Sequence, residues 1–211
     1  MQLNKIHNID CRAGFDEMEP GSIDCIITDP PYLEDVFSSA YSTLAEGANK
    51  ILKPGGFVAS YCGIYFLPRV LTLFEGAPGL QYWWTYAQLN GPGQPKPMMW
   101  HKKSINSWKP IIIYSKGKAR SPDGYYFDVI SGKSEKLYHQ WQQSISEAVA
   151  LIKRFCPEGG IVCDPFCGSG TVPLAAKLLN RDFIGFEINP CTHQTACRRL
   201  EQEPLGLIVG S

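Results

Sequence analysis

Asp29, Pro30, Pro31 and Tyr32 follow the apolar run Ile23-Asp24-Cys25-Ile26-Ile27-Thr28. A strand that runs into two consecutive prolines loses two backbone donors and has φ fixed at both positions, so its ladder ends there. The proline carbonyls stay free as acceptors at the strand's carboxyl end, beside one carboxylate and one exposed ring. Such a set suits an exocyclic amino group on a flat base. The carboxylate and a proline carbonyl accept its two N–H bonds, and the ring stacks on the base face. A turn that merely ends a strand uses the same residue types, so a second motif must decide.

That motif is Asp164-Pro165-Phe166-Cys167-Gly168-Ser169-Gly170-Thr171, between the short apolar run Gly160 to Cys163 and a helical stretch from Val172 to Asn180. Strand, glycine turn and helix make a Rossmann-like loop in which glycines let the backbone approach a ligand. The spacing is shorter than the dinucleotide fingerprint, and no Lys follows Gly170, which argues against a Walker loop. A second apolar strand, Asp182 to Phe186, ends in Glu187. A carboxylate there is placed to accept both hydroxyls of a ribose.

Both motifs, in this order, resemble the amino-methylating DNA methyltransferases that use S-adenosylmethionine. The match is to the permuted subgroup whose catalytic motif precedes the cofactor loop, and it runs from Ile6 to about Leu200. The family's Gly-Asp-Cys and Ser-Val-Asp-Leu-Ile segments correspond here to Ile9-Asp10-Cys11 and Ser22-Ile23-Asp24-Cys25-Ile26. The resemblance implies that Asp10 binds the cofactor's adenine with Cys11 alongside, and that Glu187 binds the ribose. It further implies that the loop opened by Asp164 wraps the methionine end with Phe166, Gly168, Ser169, Gly170 and Thr171. Asp29 would serve both the methionine amino group and the target base. The family's His-Pro-Thr-Gln-Lys-Pro reads here His139-Gln140-Trp141-Gln142-Gln143-Ser144. The cation of that motif is replaced by Gln143, while Ser144 and Glu147 offer a capping box to a helix over Ile145 to Phe155.

A net charge of zero is unexpected for a DNA enzyme until it is divided along the chain. Residues 1–50 carry nine acids against Lys5, Arg12 and Lys50. Gln94 to Arg120 holds seven cations (Lys96, Lys102, Lys103, Lys109, Lys116, Lys118, Arg120) and no acid, with Trp100, Trp108 and Tyr114 interleaved. Cations track phosphates and aromatics stack on unpaired bases, so this stretch is the expected nucleic-acid face, with Lys102, Lys103 and Lys109 on phosphates. A solvated lysine-rich loop has the same composition.

These residues need a frame. At 211 residues and 44% apolar composition, the chain fits one compact methyltransferase domain. Residues 1–75 form its catalytic half, 76–140 its edge strands and DNA-contacting loops, and 141–211 its cofactor-binding half. Strands are expected at Lys5 to Ile9, Ser22 to Thr28 and Phe57 to Tyr61, and helices at Val36 to Leu52 and Ile64 to Phe74. Lys53-Pro54-Gly55-Gly56 closes the first of those helices, and Pro190 to Gln202 forms the last. Gln81 to Leu89 and Pro110 to Ser115 should pair antiparallel at one sheet edge. The resulting fold class is α/β, a Rossmann-like class I methyltransferase fold, with a mixed, mostly parallel sheet and helices on both faces.

No stretch of about 18 apolar residues and no basic-then-apolar leader is seen, so a cytoplasmic protein without a membrane partner is expected; the family resemblance implies a prokaryotic or phage-encoded setting. The eight cysteines read as reduced core or loop residues, since neither Cys163/Cys167 nor Cys191/His193/Cys197 has a partner set at zinc spacing. No metal is expected; a homodimer is left open. The sequence reading is a DNA methyltransferase acting on adenine N6. The family resemblance favours adenine because cytosine-N4 enzymes more often carry Ser at the Asp29 position. Cytosine N4, an RNA substrate and a non-catalytic binding module are the alternatives.

Overall fold

The structure, a computed structural model, describes residues 1–90, 98–121, 124–131 and 144–202. The His139 motif, apart from Ser144, and Lys96 lie outside the described residues. The first half runs β1 (Lys5–His7), α1 (Cys11–Glu17), β2 (Ile23–Thr28), α2 (Glu34–Ile51), β3 (Leu52–Tyr61) and α3 (Leu67–Glu75). Then come β4 (Leu80–Leu89), a small hairpin of β5 (Met98–Met99) and β6 (Ser104–Ile105), β7 (Trp108–Lys116) and β8 (Val129–Ser131). The chain continues with α4 (Ile145–Phe155), β9 (Ile161–Asp164), α5 (Thr171–Leu178), β10 (Asp182–Phe186) and α6 (Pro190–Glu201).

Among the described residues, eight strands form one sheet in the order β1-β10-β9-β2-β3-β7-β4-β8. The first five are mutually parallel, and β7 runs antiparallel to both β3 and β4. Successive residues of β2 alternate between two apolar layers, Cys25 and Ile27 into one and Ile26 into the other. Helices α4, α5 and α6 supply the first layer, through Leu151, Ala175 and Ala196. Helices α1, α2 and α3 supply the second, through Phe15, Leu44 and Phe74. Every residue of β2 is buried, which is why its sequence reads as a nearly unbroken apolar run. Its one acid, Asp24, accepts from Lys53 Nζ at 2.7 Å and from the Ile161 amide at 3.0 Å.

Three local expectations change. The β4–β7 pair forms as read, but β7 lies inside the sheet, and the three-residue β8, parallel to β4, makes the edge. Helix α2 passes directly into β3; Ile23 faces Leu52 while Cys25 faces Phe57, so Lys53 to Gly56 bulge from the strand instead of preceding it. The capping box of α4 is absent. Ser144 is the N-cap without a side-chain bond, its hydroxyl 2.7 Å from that of Ser146. Glu147 is buried and accepts from Gln88 Nε2 at 3.2 Å: tertiary packing has claimed the carboxylate that the local motif needed.

Candidate active site

The chain leaves β2 toward β3 on one side and β9 toward β10 on the other, so the crevice between the carboxyl ends of β2 and β9 is a topological switch point. Asp29 and Asp164 face each other across it. Thr28 Oγ1 donates to Asp164 Oδ1 at 2.7 Å, joining the two strand ends. Beyond β9, Glu187 follows β10 and Asp10 follows β1. Four acids thus stand at the ends of four neighbouring parallel strands. At about 4.8 Å per strand the row spans roughly 14 Å, a length and charge suited to an extended cationic nucleoside.

The Asp29–Tyr32 loop is held from both sides. After β2 the chain runs through Asp29-Pro30-Pro31-Tyr32 to α2, and neither proline carbonyl accepts a backbone hydrogen bond among the described residues. Asp29 Oδ1 accepts from the Tyr32 hydroxyl, and Oδ2 accepts from Lys109 Nζ at 2.6 Å. Tyr32 is half-buried, not exposed as its sequence position suggested. Burial, then the Asp29 charge, push its phenol well above the ordinary tyrosine range, so it remains a donor.

In the glycine loop Gly168 and Gly170 adopt φ of 50° and 79°, values that favour glycine. A side chain at Gly168 would point into open space, whereas one at Gly170 would lie 3.2 Å from Ala196 Cβ. The loop therefore keeps a bare backbone toward the crevice and packs its far end on α6. Arg199 of α6 donates through Nη1 to the Ser169 carbonyl, the Ser169 hydroxyl and Thr171 Oγ1 at 3.2, 3.3 and 2.9 Å. The hydroxyls of Ser169 and Thr171 are turned into the protein, so toward a ligand this loop offers mainly its backbone. Phe166 is half-buried, its amide donating to Asp164 Oδ1 at 3.2 Å.

Glu187 Oε1 accepts from the Asn189 amide at 2.8 Å, and Asn8 Nδ2 donates to the carbonyls of Glu187 and Ile188 at 2.7 and 3.1 Å. Asp10 is the N-cap of α1, accepting from the Arg12 amide at 2.9 Å. Burial, then the Asp10 charge, raise the neighbouring Cys11 thiol to about 11, so it stays protonated.

Asp164 carries a pH signature. Burial raises its carboxyl from 3.8 to about 7, against the lowering effect of the Thr28 and Phe166 bonds. The folded protein then holds a proton that the unfolded chain has lost, so stability falls as pH rises from about 4 to about 7. Asp164→Asn preserves the acceptor for Thr28 and should flatten the decline of melting temperature over that window. A variant whose decline matches wild type would remove Asp164 as its source.

Residues 23–198 match the N6/N4 methyltransferase family, described as DNA methylase. The chain belongs to this DNA methylase family. The Type II methyltransferase M.HpaI of Haemophilus parainfluenzae is 26% identical over 88% of this chain and 70% of its own length. The M1.HpyAVI–SAM complex superposes with a TM-score of 0.74 and 25% identity, covering 93% of this chain and 98% of that one. The cytosine-N4-specific PvuII DNA methyltransferase superposes with a TM-score of 0.82 at 18% identity, covering 95% and 87%. The methylase thus has the class I methyltransferase fold expected from its sequence.

The described cations of the methylase's basic stretch differ in their surroundings. Lys102 and Lys103 are exposed beside the β5–β6 hairpin, as is Lys118. Lys116 donates to the carbonyl of Asn49, and Arg120 to that of Phe155 at 2.7 Å, so both tie the fold together. Tyr114 is core, 1% exposed, whereas Trp100 is 78% exposed. Lys109, grouped by sequence with the phosphate contacts, instead points at Asp29. Its ammonium also lies 4.8 Å from the Tyr32 ring centroid and 5.0 Å from that of Tyr61. Sequence reasoning missed this role, along with Thr28 and Arg199, because each acts across a long sequence separation with no spacing to betray it. No group of three metal-ligating side chains occurs among the described residues, and no described helix is long and apolar enough to cross a membrane.

Proposed function

We propose that this DNA methylase transfers a methyl group from S-adenosylmethionine to the N6 amino group of adenine in DNA. The observation that carries the reading is the site at the switch point: a carboxylate followed by two proline carbonyls, in line with Asp164, Glu187 and Asp10. Glu187 takes the ribose hydroxyls, Asp10 the adenine side, and the backbone of Gly168 to Gly170 the methionine end. Bound there, the cofactor supplies a sulfonium methyl: the amino nitrogen's lone pair forms the N–C bond while the C–S pair leaves with sulfur. Asp29 and the Pro30 carbonyl accept the two amino hydrogens, which favours a pyramidal nitrogen aimed at the methyl. Asp29, or water beside it, takes the proton that nitrogen sheds. Tyr32 stacks on the flipped base, a contact worth ~1–3 kcal/mol.

Adenine rather than cytosine rests on the acid at position 29. After reaction with unmethylated genomic DNA, the DNA is digested and its nucleosides separated by mass. N6-methyl-2′-deoxyadenosine is expected; N4-methyl-2′-deoxycytidine would overturn the adenine reading and leave the amino-methyl chemistry intact. The bacterial relative M.HpaI fits a cytoplasmic enzyme.

The DNA face of this reading is the hairpin bearing Lys102 and Lys103. Replacing both with Gln should weaken binding to unrelated duplexes alike and lower the log–log salt slope by about 0.9 for every phosphate no longer neutralised. A double variant with wild-type slope and affinity would move the DNA face elsewhere.

A further inference from the structure

We propose that the Lys109 ammonium is the resting occupant of the place on Asp29 that the target amino group takes, and that the target enters by displacing it. The inference rests on the methyltransferase reading and adds a displaceable counter-ion to that site. Sheet order fixes the direction of approach. The glycine loop flanks Asp29 from β9, whereas Lys109, the second residue of β7, reaches Asp29 across the end of β3. It therefore comes from the side away from the cofactor loop. Its ammonium, 2.6 Å from Oδ2 and close to the rings of Tyr32 and Tyr61, makes the contacts a donor on a flat base would make, a carboxylate oxygen and an aromatic face.

The ammonium cannot help during transfer itself. An amino nitrogen attacking a sulfonium becomes positive, and a second cation on the same carboxylate would oppose that charge. The β7 backbone is held by pairing with β3 and β4, and Cys62 N donates to the Pro110 carbonyl at 3.0 Å. The Lys109 side chain is 24% exposed, and its four-carbon stem can carry the head through that opening to solvent.

Transfer from labelled S-adenosylmethionine to unmethylated genomic DNA, measured at several salt concentrations, tests the proposal with Lys109→Met and Lys109→Arg. The Met variant should lower KM for DNA at least threefold, with kcat within twofold of wild type, an unchanged salt slope and unchanged cofactor affinity by calorimetry. The Arg variant, which keeps the cation, should keep the wild-type KM. A raised KM with a flattened salt slope would make Lys109 a phosphate contact and overturn the proposal. So would a tenfold loss of kcat at constant KM, or tighter cofactor binding at constant KM. If Lys109→Met does not fold, Lys109→Leu, which likewise offers Asp29 no donor, carries the same test. A wild-type protein without any transfer activity would instead refute the methyltransferase reading itself.

Discussion

Asp29→Ala is expected to reduce methyl transfer at least ~100-fold, the loss typical of a positioned acid–base group, while the protein stays folded. The carboxylate sits past the end of β2, and its partners include the Tyr32 hydroxyl and the Lys109 ammonium. Both side chains are only partly buried, so each can turn to water when the carboxylate goes. Asp29→Asn retains an acceptor for Tyr32 but loses the charge, and its rate should fall between those of wild type and Ala. Turnover and melting temperature measured on the same preparations separate chemistry from stability. Near-wild-type turnover by a folded Ala variant would remove Asp29 from the mechanism.

Glu187→Gln should weaken S-adenosylmethionine binding roughly tenfold, about 1.4 kcal/mol, and leave DNA affinity alone. Glu187 Oε1 already holds the Asn189 amide at the start of α6. A glutamine can keep that bond through its single oxygen, but then turns an NH₂ toward the ribose, where two hydroxyls need acceptors. Calorimetry gives the cofactor affinity, and a melting curve checks that the turn from Glu187 to Asn189 still holds. Unchanged affinity would return Glu187 to the role of an acid that merely caps a turn.

Much of the site was legible in the sequence because its parts are locally determined. Two prolines end a strand wherever they fall, and glycines at 168 and 170 supply dihedrals that other residues resist. The apolar runs of β2, β9 and β10 are where they were expected. Even the inner position of β7 had a sign in the sequence. Ile111, Ile112 and Ile113 are consecutive and all buried, as a strand covered on both faces must be, whereas an edge strand can leave alternate residues to water.

The sequence by itself determined the elements and the two loops, because dihedral preference and hydrophobic period act over a few residues. Tertiary structure alone decided which side chains meet across the crevice. Thr28 and Asp164 are 136 positions apart, Lys109 and Asp29 are 80, and Arg199 and Ser169 are 30. A lysine in an acid-free stretch reads as a phosphate contact, and only strand order shows that it lies against Asp29. Ser144 and Glu147 read as a capping box until Glu147 is buried against Gln88. In each case the local pattern lists what a side chain is able to bond, and sheet order fixes which of those partners lies within reach.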